Sequence, residues 1–137
     1  IVDVTMNGTY YCCKYVSEQM VKQGHGGSIV NFSSGSAIQG SPFRVAYDMA
    51  KGAIITLTMD MAVQLAQHGI RTNAIAPGQS GSQVGGMIKM EDRHTANLVG
   101  RAALPEEQAA TALFLASDDA AHIFGQTINV DGGSSVM

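Results

Sequence analysis

The chain has few of the residue types that mark the more specialised classes of protein. It has 137 residues, no tryptophan and three prolines, and only 14% of its residues are charged. Its two cysteines, Cys12 and Cys13, are adjacent, which excludes a disulfide scaffold and favours a reducing, cytoplasmic environment. The net charge is −3 and no basic cluster is present, which argues against electrostatic binding of nucleic acid. No apolar run reaches the roughly 18 residues of a membrane span.

What is present is the composition of one globular domain. Hydrophobic residues make up 45% of the chain, and a domain of this length buries roughly two-thirds of the surface that its unfolded chain exposes. The sequence begins at Ile1 and its first residues already follow a helical pattern. We therefore expect the chain to be part of a longer protein.

Hydrophobic periodicity predicts alternating helices and strands. Helices are predicted, the third of them weakly, at residues 3–22, 45–67, 87–98 and 105–116. Short β-branched segments predict strands at residues 28–32, 70–76 and 126–130. The order α-β-α-β-α-α-β predicts right-handed crossovers onto a parallel sheet.

Tyr47 and Lys51 form the first candidate for chemistry. They are four residues apart near the start of the long predicted helix, so their side chains lie on one face, one turn apart. A phenol has a pKa of about 10, and a nearby ammonium lowers it by stabilising the phenolate. The pair could therefore exchange a proton near neutral pH. The alternative is that a tyrosine and a lysine at this spacing are a coincidence of helix sequence.

Ser34 follows the first predicted strand directly, thirteen residues before Tyr47. Ligands of open α/β sheets bind at the carboxyl ends of the strands. Ser34 could then donate a hydrogen bond to a carbonyl oxygen of a substrate. The alternative is a turn serine that bonds to its own backbone.

The second predicted strand ends at Pro77 and Gly78, and a glycine-rich loop over residues 78–86 follows. That loop lacks the spacing of a phosphate-binding motif. It could be a lid over a site or a plain flexible loop.

Neither serine after the first strand lies in a G-x-S-x-G motif, which argues against a serine hydrolase. The histidines have no metal-ligand spacing; they are His25, His68, His94 and His122.

Four segments together resemble the short-chain dehydrogenase/reductase family, in its order and at its spacings. They are Asn31-Phe32-Ser33-Ser34, Tyr47-Asp48-Met49-Ala50-Lys51, residues 69–78 and residues 125–133. The resemblance covers essentially the whole chain and is closest to the branch that includes the 3-oxoacyl-[acyl-carrier-protein] reductases. It implies an α/β, Rossmann-type doubly wound parallel sheet, of which this chain has the C-terminal part, the last three strands with their flanking helices. Residues 1–137 are then a single partial NAD(P)-binding domain that lacks the N-terminal, glycine-rich dinucleotide-binding half.

The resemblance also implies roles for individual residues. Tyr47 would be the general acid/base, Lys51 would lower the pKa of the phenol and hold the nicotinamide ribose, and Ser34 would orient the oxygen of the substrate. Thr5 stands where the family usually has an asparagine, so the family's proton relay to the lysine is in doubt.

The same resemblance implies a cofactor, NAD or NADP, and an assembly. Pro77, Gly78, Ser80 and Ser82 would meet the nicotinamide carboxamide, with Ser80 at a usually apolar position and Ser82 at a usual threonine. The helices at residues 3–22 and 45–67 would form the interface of a homodimer or homotetramer.

Two functions remain open on the sequence. The first is an NAD(P)-dependent oxidoreductase that moves a hydride between nicotinamide and a carbonyl or secondary alcohol. The second is a catalytically inactive fragment that acts at most as an oligomerisation partner. An N-terminal half with a glycine-rich strand-turn-helix would distinguish them.

Overall fold

The computed structural model describes residues 1–40, 43–81 and 97–137. Its three strands form one parallel sheet in the order β1-β2-β3; they are β1 (Gly27–Phe32), β2 (Ile70–Pro77) and β3 (Thr127–Val130). Ile75 of the central strand lies opposite Phe32 on one side and Ile128 on the other. Because all three strands run in one direction, their carboxyl ends meet along a single edge of the sheet.

The helices lie close to their predicted positions. They are α1 (Gly8–Gln23), α2 (Val45–Leu65) and α3 (Pro105–Ala116). A π-helical segment, Asp3–Asn7, leads into α1, and α1 ends at Gly24 in the left-handed conformation. The predicted helix at residues 87–98 lies almost wholly outside the described residues.

Helices pack on both faces of the sheet. Successive residues of a strand point to opposite faces. On one face, Ile75 is fully buried in a cluster with Leu115 at the end of α3. On the other face, Asn31 of β1 donates a hydrogen bond to Thr58 of α2 and accepts one from Cys13 of α1. The predicted doubly wound α/β architecture, with three parallel strands and flanking helices, is confirmed.

Helix α2 is apolar on two sides, but one side alone packs within the described chain. The inward side is buried through Ala50, Ile54, Thr58, Met61 and Ala62. The outward side exposes large apolar side chains, namely Val45, Met49, Met59 and Val63. In the described part of the chain, no helix has both the length and the hydrophobicity to cross a membrane.

Candidate active site

A cavity of about 320 Å³ lies at the carboxyl edge of the sheet. Its wall takes Ser34 from the loop after β1, Tyr47 from the first turn of α2, and Pro77 and Gly78 from the end of β2. Asp131, which follows β3, completes this part of the wall. The tertiary structure therefore brings together four of the residues that the sequence singled out.

Lys51 lies one helical turn beyond Tyr47. Its Nζ is 5.9 Å from the centroid of the Tyr47 ring and donates a hydrogen bond of 2.8 Å to the carbonyl oxygen of Phe32. Partial burial disfavours the ammonium and lowers the pKa of Lys51 below its ordinary value of 10.5. The cation is thus held close to the phenol by the end of β1.

Ser34 has an extended backbone and caps a short 3-10 helix, Gly35–Ala37. Its Oγ accepts a hydrogen bond from the backbone N–H of Ser36 at 3.3 Å and lies 3.0 Å from the Ser36 Oγ. These contacts are those of a turn serine that bonds to the neighbouring backbone. Ser34 nevertheless lines the same cavity as Tyr47, so both interpretations of this serine are compatible with the structure.

The neighbouring Ser33 is buried and binds the backbone of α2. Its Oγ donates a hydrogen bond of 2.8 Å to the carbonyl oxygen of Lys51, and its N–H donates to Ile75 of β2. Seven residues further along α2, Thr58 accepts a hydrogen bond of 3.0 Å from the Asn31 side chain. Two side chains at the end of β1 thus hold the inward face of α2 against the sheet.

Gly78 allows the end of β2 to approach the end of β3. Its N–H donates a hydrogen bond of 3.0 Å to the carbonyl oxygen of Val130. A Cβ at this position would lie 2.6 Å from the Cα of Asp131. Only glycine fits such a separation without a shift of backbone atoms.

The other two residues predicted to meet the cofactor are placed differently. Ser80 forms an isolated parallel bridge with Ala103, and it is not part of the cavity wall as far as the structure describes that wall. Residues 82–86 of the predicted glycine-rich loop, which include Ser82, lie outside the described residues.

Asp131 organises the turn that follows β3. Its carboxylate accepts hydrogen bonds from the N–H of Gly133, the hydroxyl of Ser134 and the N–H of Ser135, at 2.9 to 3.1 Å. Burial alone would raise the pKa of Asp131, but these hydrogen bonds to the ionised form together outweigh it and lower the pKa below 3.8. The carbonyl oxygen of Ser134 in turn accepts a hydrogen bond of 2.6 Å from the side chain of Gln39. The turn is thereby joined to the loop after β1.

Sequence reasoning missed several residues of the cavity wall. They are Ser36, Gln39, Arg44, Gln79, Asn97, Asp131 and Ser134. A signal existed for Asp131, because it follows a strand just as Ser34 does, and the carboxyl ends of all the strands share one edge. Gln39 carries no such signal, since it lies in the interior of a loop.

The cysteines do not belong to this cavity. Cys12 is exposed, whereas Cys13 is buried and donates its S–H to Asn31 Oδ1 at 3.3 Å. Burial raises the pKa of the Cys13 thiol. Across residues 1–40, 43–81 and 97–137, no three His, Cys, Asp or Glu side chains are grouped so that they could hold a metal ion.

Comparison with known proteins gives matches along the whole chain. The family model described as enoyl-(acyl carrier protein) reductase matches residues 1–135. A short-chain dehydrogenase/reductase of Armillaria gallica is 42% identical over 97% of this chain and 55% of its own length. The 3-oxoacyl-[acyl-carrier-protein] reductase of Synechocystis sp. is 38% identical over 97% of this chain and 54% of its own length.

The solved structures give the same result. The structure of 4-hydroxyisoleucine dehydrogenase in complex with NADH and succinate superposes with a TM-score of 0.91 and 28% identity, over 100% of this chain and 58% of that one. The chain spans about half the length of the curated relatives it matches. The match to residues 1–135, the parallel sheet and the relatives lead to one conclusion: the chain belongs to the short-chain dehydrogenase/reductase family.

Proposed function

We propose that this chain carries the proton-transfer centre of an NAD(P)-dependent oxidoreductase that interconverts a secondary alcohol and a carbonyl compound. The observation that carries the proposal is the pairing of Tyr47, in the cavity wall, with the ammonium of Lys51 at 5.9 Å from its ring. The superposition on a dehydrogenase solved with NADH supports a nicotinamide cofactor, either NAD or NADP.

The cavity has room for the reactive end of such a cofactor. Pro77 and Gly78 present the end of β2 to it. We propose that Pro77, Gly78, Ser80 and Ser82 contact the carboxamide of the nicotinamide. When bound, the nicotinamide accepts or supplies the hydride.

Tyr47 moves the proton. In oxidation, the phenolate of Tyr47 would take the hydroxyl proton of the alcohol as the hydride leaves the carbinol carbon. The chain's own part of the step leaves a neutral phenol and the carbonyl compound. In reduction, the phenol returns this proton to the carbonyl oxygen.

Lys51 assists this exchange. An ammonium close to a phenol stabilises the phenolate. The hydrogen bond from Nζ to the Phe32 carbonyl keeps the charge at the end of β1, beside the ring. Lys51 also holds the nicotinamide ribose in this proposal.

Ser34 orients the substrate. Its hydroxyl lies in the wall shared with Tyr47, and its partner Ser36 Oγ is 3.0 Å away. A hydroxyl can donate one hydrogen bond and accept two. Ser34 can therefore donate to the substrate oxygen while it still accepts from the Ser36 backbone.

Replacement of Tyr47 by phenylalanine tests the proposal. In the protein as its source makes it, Tyr47→Phe should lower kcat by at least about a hundredfold, since the ring remains and the proton donor is lost. Binding of NAD(P)H, measured by fluorescence, should remain within twofold. Tyr15→Phe is the matched control, because Tyr15 also lies beside a lysine, Lys14, and is not among the described residues of the cavity wall. Turnover that survives Tyr47→Phe would refute the proposed role.

The exposed apolar side of α2 favours a second function, that of an assembly surface. Val45 and Val63, at the two ends of the helix, are 75% and 80% exposed. We propose that α1 and α2 form the interface of a homodimer or homotetramer. An inactive oligomerisation partner would assemble in this way and bind no NAD(P)H, so the fluorescence measurement distinguishes the two functions.

A cytoplasmic location stays a prediction.

A further inference from the structure

Polar side chains predominate in the described wall of the cavity. Besides glycines, it consists of hydroxyl, carboxamide, carboxylate and guanidinium side chains and the Tyr47 ring, and Pro77 is its one apolar side chain within the residues that the structure describes. Small-molecule pockets are usually lined by apolar and aromatic side chains, with a few polar groups that orient the ligand. The described side chains can form hydrogen bonds to a ligand that has several polar groups.

The free-energy cost of removing water from these side chains also favours a polar ligand. An alkyl or acyl chain placed against these side chains would remove their water without replacing the hydrogen bonds. A hydroxylated ligand can form hydrogen bonds that replace those to water.

Gln39 is an exposed wall residue whose side-chain amide is held by one hydrogen bond. Its Nε2 donates a hydrogen bond of 2.6 Å to the carbonyl oxygen of Ser134, across 95 residues of sequence. The acceptor is itself held, because the Ser134 hydroxyl binds the carboxylate of Asp131. A primary amide has one acceptor oxygen and two N–H donors. The bond to Ser134 uses one of these three groups and orients the amide, and the described residues supply no partner for the other two, which can bind a ligand.

We propose that the substrate is a hydrophilic molecule with at least one hydroxyl group beside the reacting carbinol or carbonyl carbon, and that Gln39 is a specificity-determining residue for that hydroxyl. The proposal rests on the proposed oxidoreductase function. It names the substrate class of the same site.

The experiment compares alcohols that differ in hydroxyl content. The full-length protein is assayed with NAD and with NADP on butane-2,3-diol, a hexose, butan-2-ol and octan-2-ol. We expect kcat/KM for the diol or the hexose to exceed that for both simple alcohols at least tenfold.

The variant Gln39→Leu keeps the size of the side chain and removes the amide. It should lower the ratio of kcat/KM for the hydroxylated substrate to that for butan-2-ol by about fivefold to tenfold, the effect of one hydrogen bond. Gln67→Leu is the matched control. Gln67 is exposed and its amide also donates to a backbone carbonyl, that of Gln64, far from the cavity. It should leave the ratio unchanged.

The outcomes separate the two proposals. Preference for octan-2-ol or butan-2-ol would overturn the substrate class and leave the oxidoreductase function standing. A ratio unchanged in Gln39→Leu would overturn the role of Gln39. The absence of NAD(P)-dependent turnover with every alcohol would overturn both proposals.

Discussion

Two hydrogen bonds join the segment of Ser33 to the segment of Lys51, and each side donates one of them. Ser33 Oγ donates a hydrogen bond of 2.8 Å to the backbone carbonyl of Lys51. Lys51 Nζ donates one of the same length to the backbone carbonyl of Phe32, the residue before Ser33. The turn of α2 that carries the ammonium is therefore fixed to the strand end from which Ser34 follows. Ser33 is in this sense a positioning residue for the site.

We predict that Ser33→Ala lowers the free energy of unfolding by about 1 kcal/mol, through loss of one buried hydrogen bond. It should also lower kcat and move the pH dependence of kcat, since the ammonium is less well held. Ser17→Ala is the control, because Ser17 Oγ donates to a lysine carbonyl, that of Lys14, on the exposed side of α1. Loss of stability with an unchanged pH profile would show that Ser33 is merely structural.

Removal of the ammonium should change the proton transfer itself. In Lys51→Ala, the phenolate loses its neighbouring positive charge, so the rising limb of the rate of alcohol oxidation should move to higher pH. NAD(P)H should also bind more weakly, since Lys51 is proposed to hold the ribose. Lys14→Ala is the matched control, because Lys14 Nζ lies 5.5 Å from the ring of Tyr15. A pH–rate profile that is the same in Lys51→Ala and the wild type would contradict the proposed role.

Gly78→Ala should disturb the wall of the cavity. The added methyl group would lie 2.6 Å from the Asp131 Cα, so the ends of β2 and β3 must separate. We expect a loss of about 1–3 kcal/mol in the free energy of unfolding, measured by urea denaturation. Gly8→Ala, at a helical φ with ordinary contacts, should be neutral or slightly stabilising. Equal stability of the two variants would contradict the close approach.

The outward side of α2 is proposed to be an interface, and a single charge tests it. Val63→Glu places a carboxylate at a side chain that is 80% exposed in the chain, so the fold should tolerate it, whereas burial in an interface should not. Sedimentation velocity should show a smaller assembly. Gln64→Glu, which adds the same charge at the next exposed position, should leave the assembly intact. An unchanged sedimentation coefficient in Val63→Glu would place the interface elsewhere.

The ion pair at the start of α3 predicts a pH-dependent stability. Two hydrogen bonds from Arg101, together with one from the backbone N–H of Leu104, lower the pKa of Glu107 to about 2 from its ordinary 4.5. Because the folded state holds the ionised form, the stabilisation is complete above pH 4.5 and is lost as the pH falls towards 2. The difference in Tm between wild type and Glu107→Gln should therefore shrink over that range. Glu106→Gln is the control at the neighbouring position. A Tm difference that stays constant with pH would contradict the assignment.

Most of the fold could be predicted from local pattern. The strand predicted at residues 70–76 is Ile70–Pro77, and the helix predicted at residues 105–116 is Pro105–Ala116, since periodicity and a proline at the first turn are local signals. The π-helical segment before α1 was not predicted, because an apolar pattern does not distinguish it from α-helix.

By itself, the sequence determined which residues of the candidate site share one element. Tyr47 and Lys51 lie one turn apart because helical geometry requires it, and Ser34 follows a strand end because the strand is short and ends there. Only the tertiary structure decided the partners of Ser33 and Gln39, since these hydrogen bonds join residues 18 and 95 positions apart in different segments. Such contacts leave no periodic trace in the chain. They arise when parallel strands bring their carboxyl ends to one edge and the loops that follow must satisfy their polar groups against each other.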